Sequence, residues 1–357
     1  MSLPTTMTAA VYRGQGDVRI ETVPVPELEP GEALVRVSAC GVCGTDLKKV
    51  ELGLVEPPRI FGHETAGKVV ATGSGVGRVK EGDRVAIYHH LPDPESWYSQ
   101  RKLFSQCERY LLTGATAGFA PAGGGYAEYV RVLPWIVEEG GLVPVPSSCS
   151  LEEATFVEPV NTCLKGVRML DLSGDTTALV IGAGSIGLIL AQLLRRDGAE
   201  VVVSDPLAAR RQRAEQLGLA TVDPTSDDVV ETAKTRSSGR GADVSVVAAT
   251  GAPAIRDGLA CLRPGGTCLL FAQTRKGEEV AVDVGDLCVH EKRLIGSYSA
   301  SIDVADEAAR VVFDAEIDVR SLITHRLPLD RTPEAFELAA RPADDTCKVV
   351  VTVRDEE

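Results

Sequence analysis

Two groups of residues in this chain have types and spacing that could do chemistry. The first is Cys43, within Gly41-Val42-Cys43-Gly44-Thr45-Asp46, followed twenty residues later by Gly62-His63-Glu64. A thiolate and an imidazole are ordinary zinc ligands, and a carboxylate can complete the set while leaving a position for water or substrate. One cysteine and one histidine at that distance do not define a site alone. Cys40 and Cys43 also make a C-x-x-C, but no second pair at matching spacing and no thioredoxin-like context support a finger or redox motif.

The second group is Gly182-Ala183-Gly184-Ser185-Ile186-Gly187, with Asp205 eighteen residues after Gly187. In a strand-to-helix turn, Gly182 would permit the tight bend, Gly184 the approach of a pyrophosphate, and Gly187 close packing of helix on strand. The amides opening the helix, beginning at Ser185 and Ile186, would face the phosphate together with the positive end of the helix dipole. Asp205 would accept hydrogen bonds from adenosine ribose hydroxyls and repel a 2′-phosphate, which favours NAD over NADP. Arg210 could lie along the adenine or ribose; Arg210, Arg211 and Arg213 could equally form one solvated helix face.

The elements needed to position these groups are visible in the apolar pattern. Short alternating runs at 33–39 and 68–71, broken by Pro-Gly and Gly-Asp turns, make the first 150 residues mostly β. From about 165 to 300, apolar runs at 178–181, 201–204, 243–249 and 267–272 alternate with helical patterns at 185–197, 208–217 and 227–237. That alternation predicts βαβ units and a doubly wound parallel sheet. A helix at 304–316 and a strand at 348–353 close the chain, in a tail too small to fold alone.

Composition narrows the function. The 357 residues carry 37 basic and 51 acidic side chains, for a net charge of −14, which disfavours nucleic acid and anionic membrane surfaces. The longest apolar stretch, 178–194, contains glycines and polar residues and falls short of a membrane span. Nine cysteines, an odd number mostly in apolar surroundings, predict reduced thiols and a cytoplasmic protein with no secretory signal.

The blocks GVCGTD and GHE, the stretches GSGVGRVKEGDRV (73–85) and GGGYAEYV (123–130), Glu158-Pro159 and GAGSIG occur in this order. Their combination resembles the zinc-dependent medium-chain dehydrogenases/reductases, most closely the branch with sorbitol and other polyol dehydrogenases, L-threonine dehydrogenase and amino-inositol dehydrogenases. The resemblance implies an α/β protein in which a GroES-like, mostly β catalytic domain is joined to a doubly wound Rossmann coenzyme domain. The boundaries it suggests are 1–161, 162–298 for the coenzyme domain, and a C-terminal return over 299–357. It further implies that Cys43 and His63 hold one catalytic zinc, with Glu64 or Glu158 as the third ligand.

By the same resemblance Thr45 begins a proton relay, Lys48 stands where relatives often place a relay histidine, and Thr162 packs near the nicotinamide. The family's structural-zinc cysteines, spaced three, three and eight apart, correspond here to Asp93, Ser96, Ser99 and Cys107. Serine is a poor zinc ligand, so no structural zinc is expected. His89 and His90 are read as ending a strand and lining the site. Lys348 is read as a strand-edge lysine or a contact to the coenzyme pyrophosphate.

The expected function is NAD- and zinc-dependent hydride transfer at a secondary alcohol of a polyol, sugar or cyclitol, or reduction of the matching ketone. The expected assembly is a homodimer or homotetramer, with small-molecule partners only. The alternatives are an amino-alcohol dehydrogenase, a zinc-free quinone-reductase-like or non-catalytic relative, and an NAD-binding regulatory module.

Overall fold

The structure is a computed structural model that describes residues 3–113, 123–274, 277–341 and 345–353. It divides into two compact units, Met1–Asn161 with Ala300–Glu357, and Thr162–Ser299.

The second unit is built on six strands in the order Ala220–Val222, Glu200–Ser204, Thr177–Ile181, Ala242–Val247, Leu262–Leu270 and Arg293–Gly296. Every neighbouring pair is parallel, and in chain order the strands run 3-2-1-4-5-6, the order of a dinucleotide-binding sheet. The central strand Thr177–Ile181 is buried at every position, as expected for a strand covered on both faces. Helix Ser185–Arg196 follows it and buries an unbroken run from Gly187 to Leu194. Expected and observed helices agree within a few residues at Ser185–Arg196, Ala208–Gln216 and Val229–Arg236. Helices Ala252–Ala260 and Val284–Val289 and the edge strand Arg293–Gly296 were not legible. Pro253 and Gly258 mask the first helix, the second buries no residue, and the edge strand buries none of its side chains fully.

The first unit is β-rich. A seven-stranded sheet runs Ile323–Pro328, Lys348–Thr352, Ala33–Gly41, Glu64–Thr72, Arg84–Ile87 and Leu142–Pro144, with Tyr129–Val132 also paired to Ala33–Gly41. A separate three-stranded sheet pairs Thr6–Gly14 with Asp17–Pro24 and Arg59–Ile60. The strand expected over 68–71 begins earlier, at Glu64, because the ladder with Ala33–Gly41 continues until Gly41 lies opposite Glu64. Val350 of the C-terminal strand pairs with the same Gly41. Three strands from distant parts of the sequence thus meet at Gly41. Apolar clusters lie on both faces, one around Val35, Val85 and Val130, another joining Tyr12, Tyr126 and Phe61 to Phe336 and Val351.

The chain re-enters this unit at Ala300, where two buried side chains hold it. The Asn161 amide donates to the Ser301 carbonyl at 3.0 Å and accepts from the Ser301 amide at 2.8 Å. The Tyr110 hydroxyl does the same at Ala300, at 3.0 and 2.9 Å. Leaving one buried polar group unsatisfied costs about 1–3 kcal/mol. Asn161→Ala should therefore lower the denaturant midpoint of this unit by at least that equivalent, read by circular dichroism; an unchanged midpoint would mean the tie carries no stability.

Candidate active site

Cys43 caps helix Gly44–Leu52, its sulfur accepting from the Thr45 amide at 3.5 Å. The helix ends at Gly53, whose left-handed conformation, φ 62°, suits glycine. Thr45 sits exposed inside the first turn of that helix. His63 follows Gly62, which has φ 108° and no room for a Cβ, since one would lie 2.8 Å from the Cys40 sulfur and the Gly125 amide nitrogen. Ligand atoms of Cys43, His63 and Glu64 all lie within 4.8 Å of one another, and His63 and Glu64 are buried. Glu158 is not part of that group among the described residues.

The surroundings fit a cation. Burial disfavours a charged His63, yet Asp46 and Cys43, by charge and hydrogen bonding, hold its pKa well above the ordinary value. His63 Nδ1 stands 3.3 Å from Asp46 Oδ1, which leaves Nε2 as the metal-facing nitrogen, in the carboxylate–histidine arrangement typical of metal sites. A soft thiolate, an imidazole and a carboxylate gathered in a buried pocket form a donor set suited to zinc.

Several supporting groups were missed or misread in the sequence. Asp46 is fully buried, and the Tyr126 hydroxyl lies 3.2 Å from its Oδ2 and 2.9 Å from the Gly41 carbonyl. Lys348 is no edge lysine. Its ammonium is buried, 2.5 Å from Glu64 Oε2, and donates to the Val42 carbonyl at 3.1 Å. Burial works against its charge, but Glu64 and Cys43 outweigh this and raise its pKa. Gly41 makes the pair possible, since a Cβ there would sit 2.0 Å from Glu64 Oε2.

Glu158 is also buried, on helix Val157–Val167, and burial pushes its carboxyl up to about 7. Its Oε1 is 3.7 Å from Nδ1 of His90. His89 and His90 follow strand Arg84–Ile87 and are buried. Burial and the nearby His63 push His89 down to about 4 and His90 well below the usual histidine range. Lys48 is half-buried on helix Gly44–Leu52. Thr162, half-buried on the Glu158 helix, belongs to the second unit.

The second unit holds the glycine turn. Gly182 has φ 104°, and a Cβ on Gly187 would lie 1.8 Å from the Gly182 carbonyl, so both positions require glycine. A Cβ on Gly184 would meet nothing within 4 Å; the turn has open space beside it where a phosphate could approach, with half-buried Ile186 in the first helical turn. Asp205 is buried, accepting from the Ala183 amide at 2.8 Å and the Leu207 amide at 2.9 Å. Each oxygen retains capacity for a further hydrogen bond. Arg210 lies 3.6 Å from Asp205 Oδ2. Arg211 is not part of a solvated face: it donates to the Asp205 carbonyl at 2.7 Å and pairs with Asp223 at 2.7 Å.

At the positions of the structural-zinc lobe, hydrogen bonds join the residues. The Asp93 amide donates to the Cys107 sulfur at 3.3 Å, and the Ser96 and Ser99 hydroxyls are 2.8 Å apart.

A parallel dinucleotide-binding sheet and a β-rich unit carrying a Cys-His-Glu cluster define the class of two-part nicotinamide dehydrogenases. Residues 29–147 match the alcohol dehydrogenase GroES-like domain and residues 185–314 the zinc-binding dehydrogenase domain. The chain is 30% identical to (R,R)-butanediol dehydrogenase of Bacillus subtilis, over 91% of this chain and 93% of that protein. It is 27% identical to sorbitol dehydrogenase of the same organism, over 98% of each. Among solved structures, a protein from Sinorhizobium meliloti described as a zinc-binding dehydrogenase, bound to NADP, superposes with TM-score 0.88 at 30% identity, over 98% of this chain and 100% of that one. The chain belongs to the zinc-dependent alcohol dehydrogenase family, and it is an oxidoreductase.

Removing one partner of a buried ion pair costs about 3–5 kcal/mol. Lys348→Met should therefore lower the thermal midpoint of the metal-free protein sharply, and adding Glu64→Gln should restore part of it. Equal midpoints for Lys348→Met and the unaltered protein would show that Glu64 finds its charge balance elsewhere.

Proposed function

We propose that this protein transfers hydride between a secondary hydroxyl of a polyol, sugar or cyclitol and NAD, with one zinc ion per chain held by Cys43, His63 and Glu64. The observation that carries the reading is the convergence of those three ligand atoms within 4.8 Å beside the Asp46 carboxylate. When bound, zinc supplies a Lewis acid for a hydroxyl oxygen and NAD the hydride acceptor. Glu64 is favoured over Glu158 as third ligand because the Glu64 carboxylate is the one that joins Cys43 and His63 with ligand atoms within 4.8 Å of one another. Asp46 orients His63, and Lys348 balances the charge of Glu64. Thr45, in the first turn of the helix that Cys43 caps, is the proposed first acceptor of the hydroxyl proton, with Lys48 further along the same helix.

The preference for NAD rests on Asp205, whose charge opposes a 2′-phosphate, with Arg210 beside it along the adenosine half and Thr162 toward the nicotinamide half. A single zinc is supported by Asp93, Ser96 and Ser99 in place of thiolates. A homo-oligomer is supported by exposed apolar side chains at Val284, Val289, Leu294 and Tyr298, around the open edge strand Arg293–Gly296. A cytoplasmic location is supported by nine free cysteines. No helix among the described residues is long and apolar enough to cross a membrane.

Formation of NADH, followed by absorbance on a panel of polyols, sugars, cyclitols, amino alcohols and simple secondary alcohols, should identify one productive group and stop with a zinc chelator. Turnover that persists in the metal-stripped protein would overturn the reading. Cys43→Ser should lose zinc by metal analysis and turnover with it, while NADH affinity is kept; full zinc content would remove Cys43 from the ligand set. Asp205→Ala should weaken NAD binding and narrow the gap to NADP, and an unchanged NAD-to-NADP ratio would place ribose recognition elsewhere.

A further inference from the structure

Lys49 carries a charge that the reaction above does not use. On helix Gly44–Leu52 it follows Asp46 by three residues and Thr45 by four, spacings that place it on the same face as both. That face is the site side, because the fully buried Asp46 reaches His63 from it and Thr45 adjoins the Cys43 cap. The Lys49 ammonium is close enough to feel the charges of Asp46 and Cys43 and to act on the buried His90. Unlike Lys348, which is seated on Glu64, its ammonium makes no ion pair or hydrogen bond among the described residues. Burial pushes its pKa down, Asp46 and Cys43 oppose this only in part, and the nearby Arg59 guanidinium adds to the lowering. A half-buried cation without a contacting anion is unfavourable, and a ligand that brings the anion relieves the cost.

We propose that Lys49 receives an anionic group of the substrate, so that the secondary alcohol oxidised here sits on a molecule that also bears a carboxylate or a phosphate. Sugar acids, hydroxy acids and polyol phosphates share this chemistry, and neutral polyols lack it. The inference rests on the reading of Cys43, His63 and Glu64 as the reaction centre and narrows its substrate class.

The test compares matched substrates that differ in the anionic group: sorbitol against gluconate, and glycerol against glycerate and glycerol 3-phosphate. kcat/KM is measured with NAD, and binding of each compound in the presence of NADH is measured by calorimetry. The unaltered enzyme should favour the anionic member of a pair by at least tenfold, whether carboxylate or phosphate. Lys49→Gln should reduce that anionic-to-neutral ratio at least tenfold, chiefly through KM, and Lys49→Arg should keep it. Which of glycerate and glycerol 3-phosphate gains more identifies the anion. No anionic preference in the unaltered enzyme, or the same ratio in Lys49→Gln, overturns the inference even where turnover and NADH binding establish the dehydrogenase. Absence of both turnover and NADH binding would instead overturn the underlying function, and the inference with it.

Discussion

A carboxylate cannot stay charged in a buried place without a cation, and in this protein that requirement joins the two ends of the chain. Glu64 opens one strand, Lys348 opens the last, and the two meet across Gly41, where even a methyl group would collide. The ladder that pairs Gly41 with both Glu64 and Val350 is the backbone expression of the same contact. Breaking the ladder strands a charge, and neutralising one partner of the pair leaves the ladder enclosing an unpaired ion. Sheet topology and site electrostatics are therefore one constraint in the first unit.

Around that pair the site is organised as nested support. His63 is flanked by Asp46, and Asp46 by Tyr126, which in turn stacks edge-on against Phe336 with ring centroids 5.0 Å apart. Each step outward moves from a residue able to bind a metal to one that fixes its neighbour's direction, and then to ordinary apolar packing. Such support lets a ligand keep its orientation without storing strain at the ligand itself.

The sequence carried the parts of this design that follow from local rules. The glycine turn was legible because Gly182 and Gly187 meet steric demands no other residue satisfies, and Asp205 because it ends the next strand. Cys43, His63 and Glu64 were legible as types. Their convergence was implied by the family resemblance alone, because it depends on strand register across long separations that no local pattern records. Lys348 was misread for the same reason: from the sequence it is a lysine at the start of a terminal strand, and only the pairing of that strand with Ala33–Gly41 buries it. Arg211, placed with a solvated face by its neighbours, turned out to bridge the ends of two parallel strands. The exposed edge strand Arg293–Gly296 escaped detection because it has no buried side to leave a pattern.

The C-terminal strand has a consequence for how the protein comes into being. The second unit is continuous in sequence and can form as soon as its residues have been synthesised. The first cannot, because its largest sheet needs the strand Lys348–Thr352, which follows the whole second unit in sequence. Until then Glu64 has no lysine, and the long-range pairing that encloses it must wait on a slow, non-local closure. The Glu64–Lys348 pair thus forms only after the second unit has been synthesised, and a chain lacking strand Lys348–Thr352 would retain a foldable second unit beside a first unit that cannot be completed.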